Sequence, residues 1–260
     1  MKLSNLIKKT VLAAALTLTS ASFAGAESRS DWKAHWITHP WVQSTTNTWI
    51  SYRKEVNVTK RPDKLVARIA VDSKYWMWIN GELAVFEGGL KRGPFPNGTY
   101  YDKVDIAPYL KEGSNTIAIL LWHFGKQGFS HNSSGQAALI FEAISPELKI
   151  LSDKSWLCIP NPAYGDTDAP HPNYRLSESN IRFDARKEHP GWNMPGFDYG
   201  RKMHWADNVD EMAWPAMGEL VERPIPMWKD YGLKEYVSVR QSNDTVYCKL
   251  PYNAQVTPYM

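Results

Sequence analysis

Asp72-Ser73-Lys74-Tyr75-Trp76-Met77-Trp78-Ile79-Asn80-Gly81-Glu82 is the stretch that decides the fold, and its Asn-Gly pair is the decisive element. These two residue types accept successive positive φ angles, which the two-residue type I′ hairpin turn demands. Tyr75–Ile79 on one side and Leu83-Ala84-Val85-Phe86 on the other are apolar and β-prone, so the segment predicts two antiparallel strands. Upstream, Leu65, Ala67, Ile69 and Val71 alternate with Val66, Arg68 and Ala70, the period of a strand with one buried face. Downstream, Thr116–Trp122 and Ala137–Ile144 are short apolar runs bounded by Gly113, Gly125 and Gly135, which predicts buried strands. Ile106–Leu110 alone suggests a helical turn. Short strands punctuated by Gly, Pro and Asn predict an all-β chain, a jelly-roll (galactose-binding-like) β-sandwich. Pro160, Pro162, Pro170 and Pro172 break any strand through 161–184, which predicts a long Pro-rich loop.

The beginning of the chain reads as an address. Lys2, Lys8 and Lys9 precede a short apolar run, Val11–Thr19, and Ala24-Gly25-Ala26 supplies a small-x-small cleavage pattern, so residues 1–26 are expected to be a signal peptide. The run is shorter than the ~20 residues that span a bilayer. The expected location is therefore periplasmic or extracellular, with no membrane span after cleavage. Residues 27–226 are expected to form the sandwich, and 227–260 a linker and the start of a truncated second β domain. Thirty Lys and Arg stand against 27 Asp and Glu, a net charge of +3 without a basic cluster past the leader, which gives no indication of a nucleic-acid partner. Cys158 and Cys248 would meet oxidising conditions after export, and both a disulfide and two buried thiols are consistent with the sequence.

Motifs along the chain read first as fold-maintaining. In Tyr100-Tyr101-Asp102-Lys103-Val104-Asp105-Ile106-Ala107-Pro108-Tyr109-Leu110, Asp105 is placed to cap a turn anchored by Ile106 and Leu110, and Gly113 permits the reversal before Asn115-Thr116-Ile117-Ala118. Farther on come Ser152-Asp153-Lys154-Ser155-Trp156, Glu178, Phe183-Asp184-Ala185-Arg186, Gly191-Trp192 and Pro195-Gly196-Phe197-Asp198. In this order the motifs resemble the N-terminal, non-catalytic β-sandwich region of bacterial α-L-rhamnosidases. Phe183 stands where the family pattern has Tyr, and Ser177 where Gly is common. The resemblance runs from about Trp32 to Pro226.

The resemblance implies an accessory module. In these enzymes the catalytic carboxylates sit on an (α/α) barrel and act by inversion, with a general acid and a general base flanking the bond. No long helical region in this sequence would form such a barrel, so hydrolysis by this chain alone is not expected. Glu178, Asp184, Glu188 and Asp198 are interleaved with Arg175, Arg182 and Arg186, and such pairing holds carboxylates ionised and unsuited to general-acid work.

Sugar recognition is the functional expectation, since aromatic rings stack on sugar C–H faces while cations and amides bind hydroxyls. With twelve Trp and thirteen Tyr the chain is rich in such rings. Candidates are Lys91, Arg92 and Phe95 in one loop, Trp122, His123, Phe124, Lys126 and His131 in another, and Arg175, Glu178 and Asn180 in the Pro-rich stretch. The same rings would serve equally as rim packing or as a surface for a catalytic domain or neighbouring subunit. No organic cofactor is expected. The resemblance leaves calcium as the one metal to weigh, through the hard oxygens of Asp102, Asp105 and Asp184, with Glu178 and Asn180. The seven His are scattered, against a zinc spacing.

Overall fold

The computed structural model describes residues 26–27, 31–89, 98–125, 131–167, 181–198, 200, 202–209 and 218–232. The chain divides into two units, Met1–Lys229 and Asp230–Met260, and every strand described below belongs to the first.

Two sheets form the sandwich. The first contains β1 (Ala26–Glu27), β2 (Ile37–Thr38), β4 (Val66–Val71), β7 (Thr99–Asp105), β9 (Leu139–Ile144), β10 (Lys149–Leu151), β15 (Asp207–Asn208) and β16 (Leu220–Glu222). Its order is β1-β16-β7-β4-β9-β2-β15, with β10 also paired to β9. The second contains β3 (Thr48–Val58), β5 (Lys74–Ile79), β6 (Glu82–Gly89), β8 (Gly113–His123), β11 (Leu157–Pro160) and β14 (His204–Trp205), in the order β14-β11-β3-β8-β5-β6. A small ribbon pairs β12 (Tyr164–Asp166) with β13 (Ile181–Phe183). The all-β sandwich is the architecture that the strand-and-turn pattern predicts.

Alternation selects the core. Ala67, Ile69 and Val71 of β4, Leu139, Phe141 and Ala143 of β9, Tyr75, Met77 and Ile79 of β5, and Ile117, Ile119 and Leu121 of β8 form one buried cluster. Successive strand residues point to opposite faces, so Lys74, Trp76 and Trp78 turn outward from β5, where each is only partly buried.

The hairpin forms as its sequence demands: Asn80 has φ +54° and Gly81 φ +86°, and Ile79 faces Glu82 across the turn. Asn80 does more than turn the chain. Its Oδ1 accepts from the Thr116 N–H at 3.0 Å, and its Nδ2 donates to Tyr109 O and Asn115 Oδ1. The hairpin is thereby tied to the start of β8. Asp105 Oδ1 accepts from the Ala107 and Leu65 N–H groups, capping a 3-10 turn at Ala107–Tyr109 whose flanks Ile106 and Leu110 are buried.

The Ser152–Trp156 motif is a second tie. Ser152 Oγ accepts from Phe141 N and donates to His35 O, Asp153 Oδ1 accepts from Ser155 N, and Trp156 is driven into the core with its indole N–H on Leu151 O. Cys158 is buried in the same core, which pushes its thiol up to about 12; Cys248 lies outside the described residues.

Both outer faces are covered. Trp32, Trp36 and Tyr101 shield Ala70, Ala138 and Ile140 on the first sheet, and the Arg68 guanidinium lies 4.1 Å from the Trp32 ring centre. The second sheet carries a larger aromatic layer.

Candidate functional site

The outer face of the second sheet is built on cross-strand neighbours. Trp49 of β3 lies opposite Trp122 of β8, and Trp122 opposite Lys74 of β5; two and four residues along the same face, Trp76 faces Leu120, and Trp78 faces Ala118. Cross-strand residues project to one side and touch, so the rings collect in a layer. Trp49 stacks on Trp122 at 4.7 Å and 10°, on Tyr164 at 4.2 Å and 17°, and on Trp76 at 5.8 Å and 21°. Trp192 meets Trp78 edge-on at 5.7 Å.

Residues 161–167 and 181–197 form part of the cover of this layer. Asn161 donates its N–H to Trp49 O, and Asp184 its N–H to Ala163 O, while Tyr164, Ile181, Trp192 and Phe197 pack on the face. Arg53, fully buried in β3, clamps the end of the cover: its Nη1 donates to Trp192 O at 2.9 Å and Met194 O at 2.7 Å, and its Nη2 to Glu55 Oε1 and Thr116 Oγ1. The Gly-Trp and Pro-Gly-Phe-Asp motifs thus serve to place Trp192 and Phe197. Asp184 caps the 3-10 turn Ala185–Lys187 and takes a two-point contact from Arg186, 2.8 Å on each oxygen. The Arg186 guanidinium holds its carboxyl below the usual range, a state unsuited to proton donation.

Polar groups border the rings. Lys74 Nζ lies 3.5 Å from Glu87 Oε2 and 5.9 Å from the Trp122 ring centre. Trp122 Nε1 donates to Asn47 Oδ1, and Asn47 Nδ2 to Asp166 Oδ1. Trp49 is 5% exposed, and its indole N–H has no hydrogen-bond partner among the described residues. A buried donor without an acceptor is uncommon in folded proteins. Flat rings beside cations, amides and carboxylates fit the two-sided chemistry of a sugar, apolar on its C–H face and polar at its edge.

The expected site residues fall in three places. Trp122, His123, Phe124 and His131 are interior, exposed by 2, 0, 0 and 1%, a correction to their expected place on an open loop. β8 is a central strand, paired with β3 through His123 and with β5 through Trp122. Trp122 is therefore sealed beneath Trp49 and Phe124, and His123 turns inward, 3.4 Å from the buried Asp72 carboxylate. Lys91, Arg92, Phe95, Lys126, Arg175, Glu178 and Asn180 lie outside the described residues. Among the described residues, the expected calcium ligands Asp102, Asp105 and Asp184 do not converge. Asp102 is buried 2.6 Å from Arg223 Nε and accepts from Tyr75 OH and Gly89 N, Asp105 caps its turn, and Asp184 holds Arg186. Burial nevertheless pushes the Asp102 carboxyl up, against the pull of Arg223. Among the described residues no three His, Cys, Asp or Glu side chains gather as a metal set.

Trp76 and Trp78 are the rings that the sequence candidates omit. The signal was present: with Tyr75, Met77 and Ile79 inward, a period of two turns both tryptophans outward.

An all-β sandwich with an aromatic outer face is thus the class that fold and site define. No family model and no curated protein matches the chain. Among solved structures it is similar to the GH78 family rhamnosidase of Bacillus sp. GL1, with 27% identity and a TM-score of 0.64 over 75% of this chain. It is also similar in fold to the α-L-rhamnosidases of Dictyoglumus thermophilum (22%, TM-score 0.57, 76% of this chain) and Aspergillus terreus (19%, TM-score 0.56, 75% of this chain). The matches span 20%, 23% and 23% of those chains. The structural likeness is therefore to a region of α-L-rhamnosidases, as the motif order predicts.

Proposed function

We propose that this chain is a non-catalytic carbohydrate-recognition module of a secreted α-L-rhamnosidase, acting on rhamnose-containing glycans. The observation that carries the proposal is the tryptophan layer of the second sheet, with Trp76 and Trp78 partly open and the Lys74–Glu87 pair at its border. In this reading Trp76 stacks on the C–H face of a sugar ring, and Lys74 and Glu87 bind its hydroxyls. A rhamnose unit, whose methyl group replaces a hydroxymethyl, adds an apolar corner suited to Trp78. Catalysis in the intact enzyme is assigned to a separate helical barrel, and export to the leader at residues 1–26. No helix of the described residues is long and apolar enough to cross a membrane.

Tryptophan fluorescence of the full chain, titrated with L-rhamnose and with a rhamnosylated polysaccharide, tests the proposal. Saturable quenching that Trp76→Ala reduces is expected. An unchanged spectrum at millimolar sugar would overturn it.

A second reading has its own observation. Trp205, Ile225 and Trp228 are exposed by 62, 64 and 67%, apolar surface that packing against a neighbouring domain would remove from water. They fit a face that packs against the catalytic domain, and the buttressing role is compatible with sugar binding on the second sheet.

A further inference from the structure

A second aromatic group stands apart from the tryptophan layer. Trp41 follows β2, the neighbour of the edge strand β15 in the first sheet, and is 72% exposed. His204, partly exposed, belongs to β14 at the edge of the second sheet. The rings of Trp41 and His204 meet edge-to-face at 4.5 Å and 67°. His39 completes the group, 5.9 Å from Trp41 and 5.5 Å from His204, near-perpendicular to both. The group therefore bridges the two sheets, between the end of β2 and the edge strand β14.

Two features separate this group from ordinary rim packing. Trp41 is braced by two imidazoles at close range, which fixes its plane while leaving most of the ring in solvent. His39 is 4% exposed, and its Nδ1 accepts from the Trp41 backbone N–H at 3.2 Å. That contact assigns the proton to Nε2, and the buried Nε2 has no hydrogen-bond partner among the described residues. An unmet buried donor costs roughly 1–3 kcal/mol, so an outside acceptor that met Nε2 on a small movement of the imidazole would be a stabilising addition. A rigid open ring and an unmet neutral donor are complementary to the C–H face and hydroxyl oxygen of one sugar unit.

We propose that Trp41, His39 and His204 form a second carbohydrate subsite for a neutral pyranose unit, separate from the Trp76 face. Burial and the neighbouring His204 push His39 down to about 4, which keeps it neutral and suits an uncharged ligand. The choice of ligand class rests on the function proposed above, whereas the site rests on its own residues. Four strand intervals separate β14 from β5, about 19 Å at the usual spacing. One glycan chain reaching both points would gain by linkage, since the second contact is then made at high effective concentration.

The test is an NMR titration of the full chain with a rhamnose-containing oligosaccharide, following the imidazole signals of His39 and His204 in the parent, Trp41→Ala and Trp76→Ala. The expected result is that both imidazoles shift in the parent and in Trp76→Ala, and that neither shifts in Trp41→Ala. Exposed as it is, Trp41 should be replaceable without loss of the fold, and a retained indole spectrum from the buried tryptophans checks this. Still imidazoles beside Trp76-dependent binding overturn the second subsite and leave the first. Absence of any sugar-induced change in the parent overturns both. A concentration-dependent self-association that Trp41→Ala abolishes, with no sugar effect on the imidazoles, would assign the patch to protein contact and overturn the subsite.

Discussion

The guanidinium of Arg53 donates to the carbonyl oxygen of Trp192 at 2.9 Å, joining an interior strand to the segment that covers its outer face. The same nitrogen reaches Met194 O, and the second reaches Thr116 and Glu55. One side chain thus fixes Trp192 over Trp78 and the cover over the tryptophan layer.

Replacing Arg53 with Met keeps the volume but leaves the carbonyls of Trp192 and Met194 without a donor. Each buried group so orphaned costs about 1–3 kcal/mol, so Arg53→Met should lower unfolding stability by about 3 kcal/mol in a urea titration. Arg53→Lys should recover only part of this, because an ammonium cannot reproduce the planar fork.

Trp122 and Trp76 are neighbours in the layer, yet their substitutions should separate cleanly. Trp122 is sealed and bonded to Asn47, so Trp122→Ala should cost about 3–5 kcal/mol of stability. Trp76 is partly open, and Trp76→Ala should cost about 1–2 kcal/mol because less of its area is buried. Thermal denaturation of the two variants side by side checks the contrast.

Gly81 is demanded twice, by φ +86° and by the Met194 Sδ, which stands 2.3 Å from where a Cβ would sit. Gly81→Ala should therefore destabilise by about 1–3 kcal/mol, through turn strain and displacement of Met194. In Gly81→Ala/Met194→Ala the second part should be relieved, so the double variant should be more stable than the sum of the two single losses predicts.

Stability should respond to pH through His39. Its folded value of about 4 lies below the ordinary 6.5, so the unfolded chain takes up the proton first on acidification. The contribution is complete above about pH 6.5 and is lost as pH falls towards 4. Asp72, also depressed, chiefly through His123 acting against its own burial, adds a loss below the ordinary carboxylate value of 3.8. Urea midpoints measured from pH 7 to 4 should fall in the parent, with a shallower slope in His39→Phe.

Much of the fold is legible in the sequence because its signals are local. Asn80-Gly81 sets a turn, Asp105 caps the next one, and alternation around Met77 sorts core from surface. Site residues are less legible because exposure is a tertiary property. Trp122, His123 and Phe124 look like a strand end entering an open loop, yet the pairing of β8 with both β3 and β5 and the rings of Trp49 and Phe124 seal them. The Asp102–Arg223 pair joins residues 121 positions apart in the sequence, which no spacing rule anticipates. The grouping of Trp41 with His204 has the same origin, since it depends on how the two sheets lie against each other.

Isothermal titration calorimetry of the full chain with a rhamnose-containing polysaccharide tests the central claim most directly, because it separates binding from turnover in one trace. Recognition without catalysis predicts injection heats that saturate and return to baseline, and that vanish in the Trp41→Ala/Trp76→Ala double variant. Heat absent at millimolar sugar equivalents, or a continuing heat of hydrolysis after saturation, would contradict it.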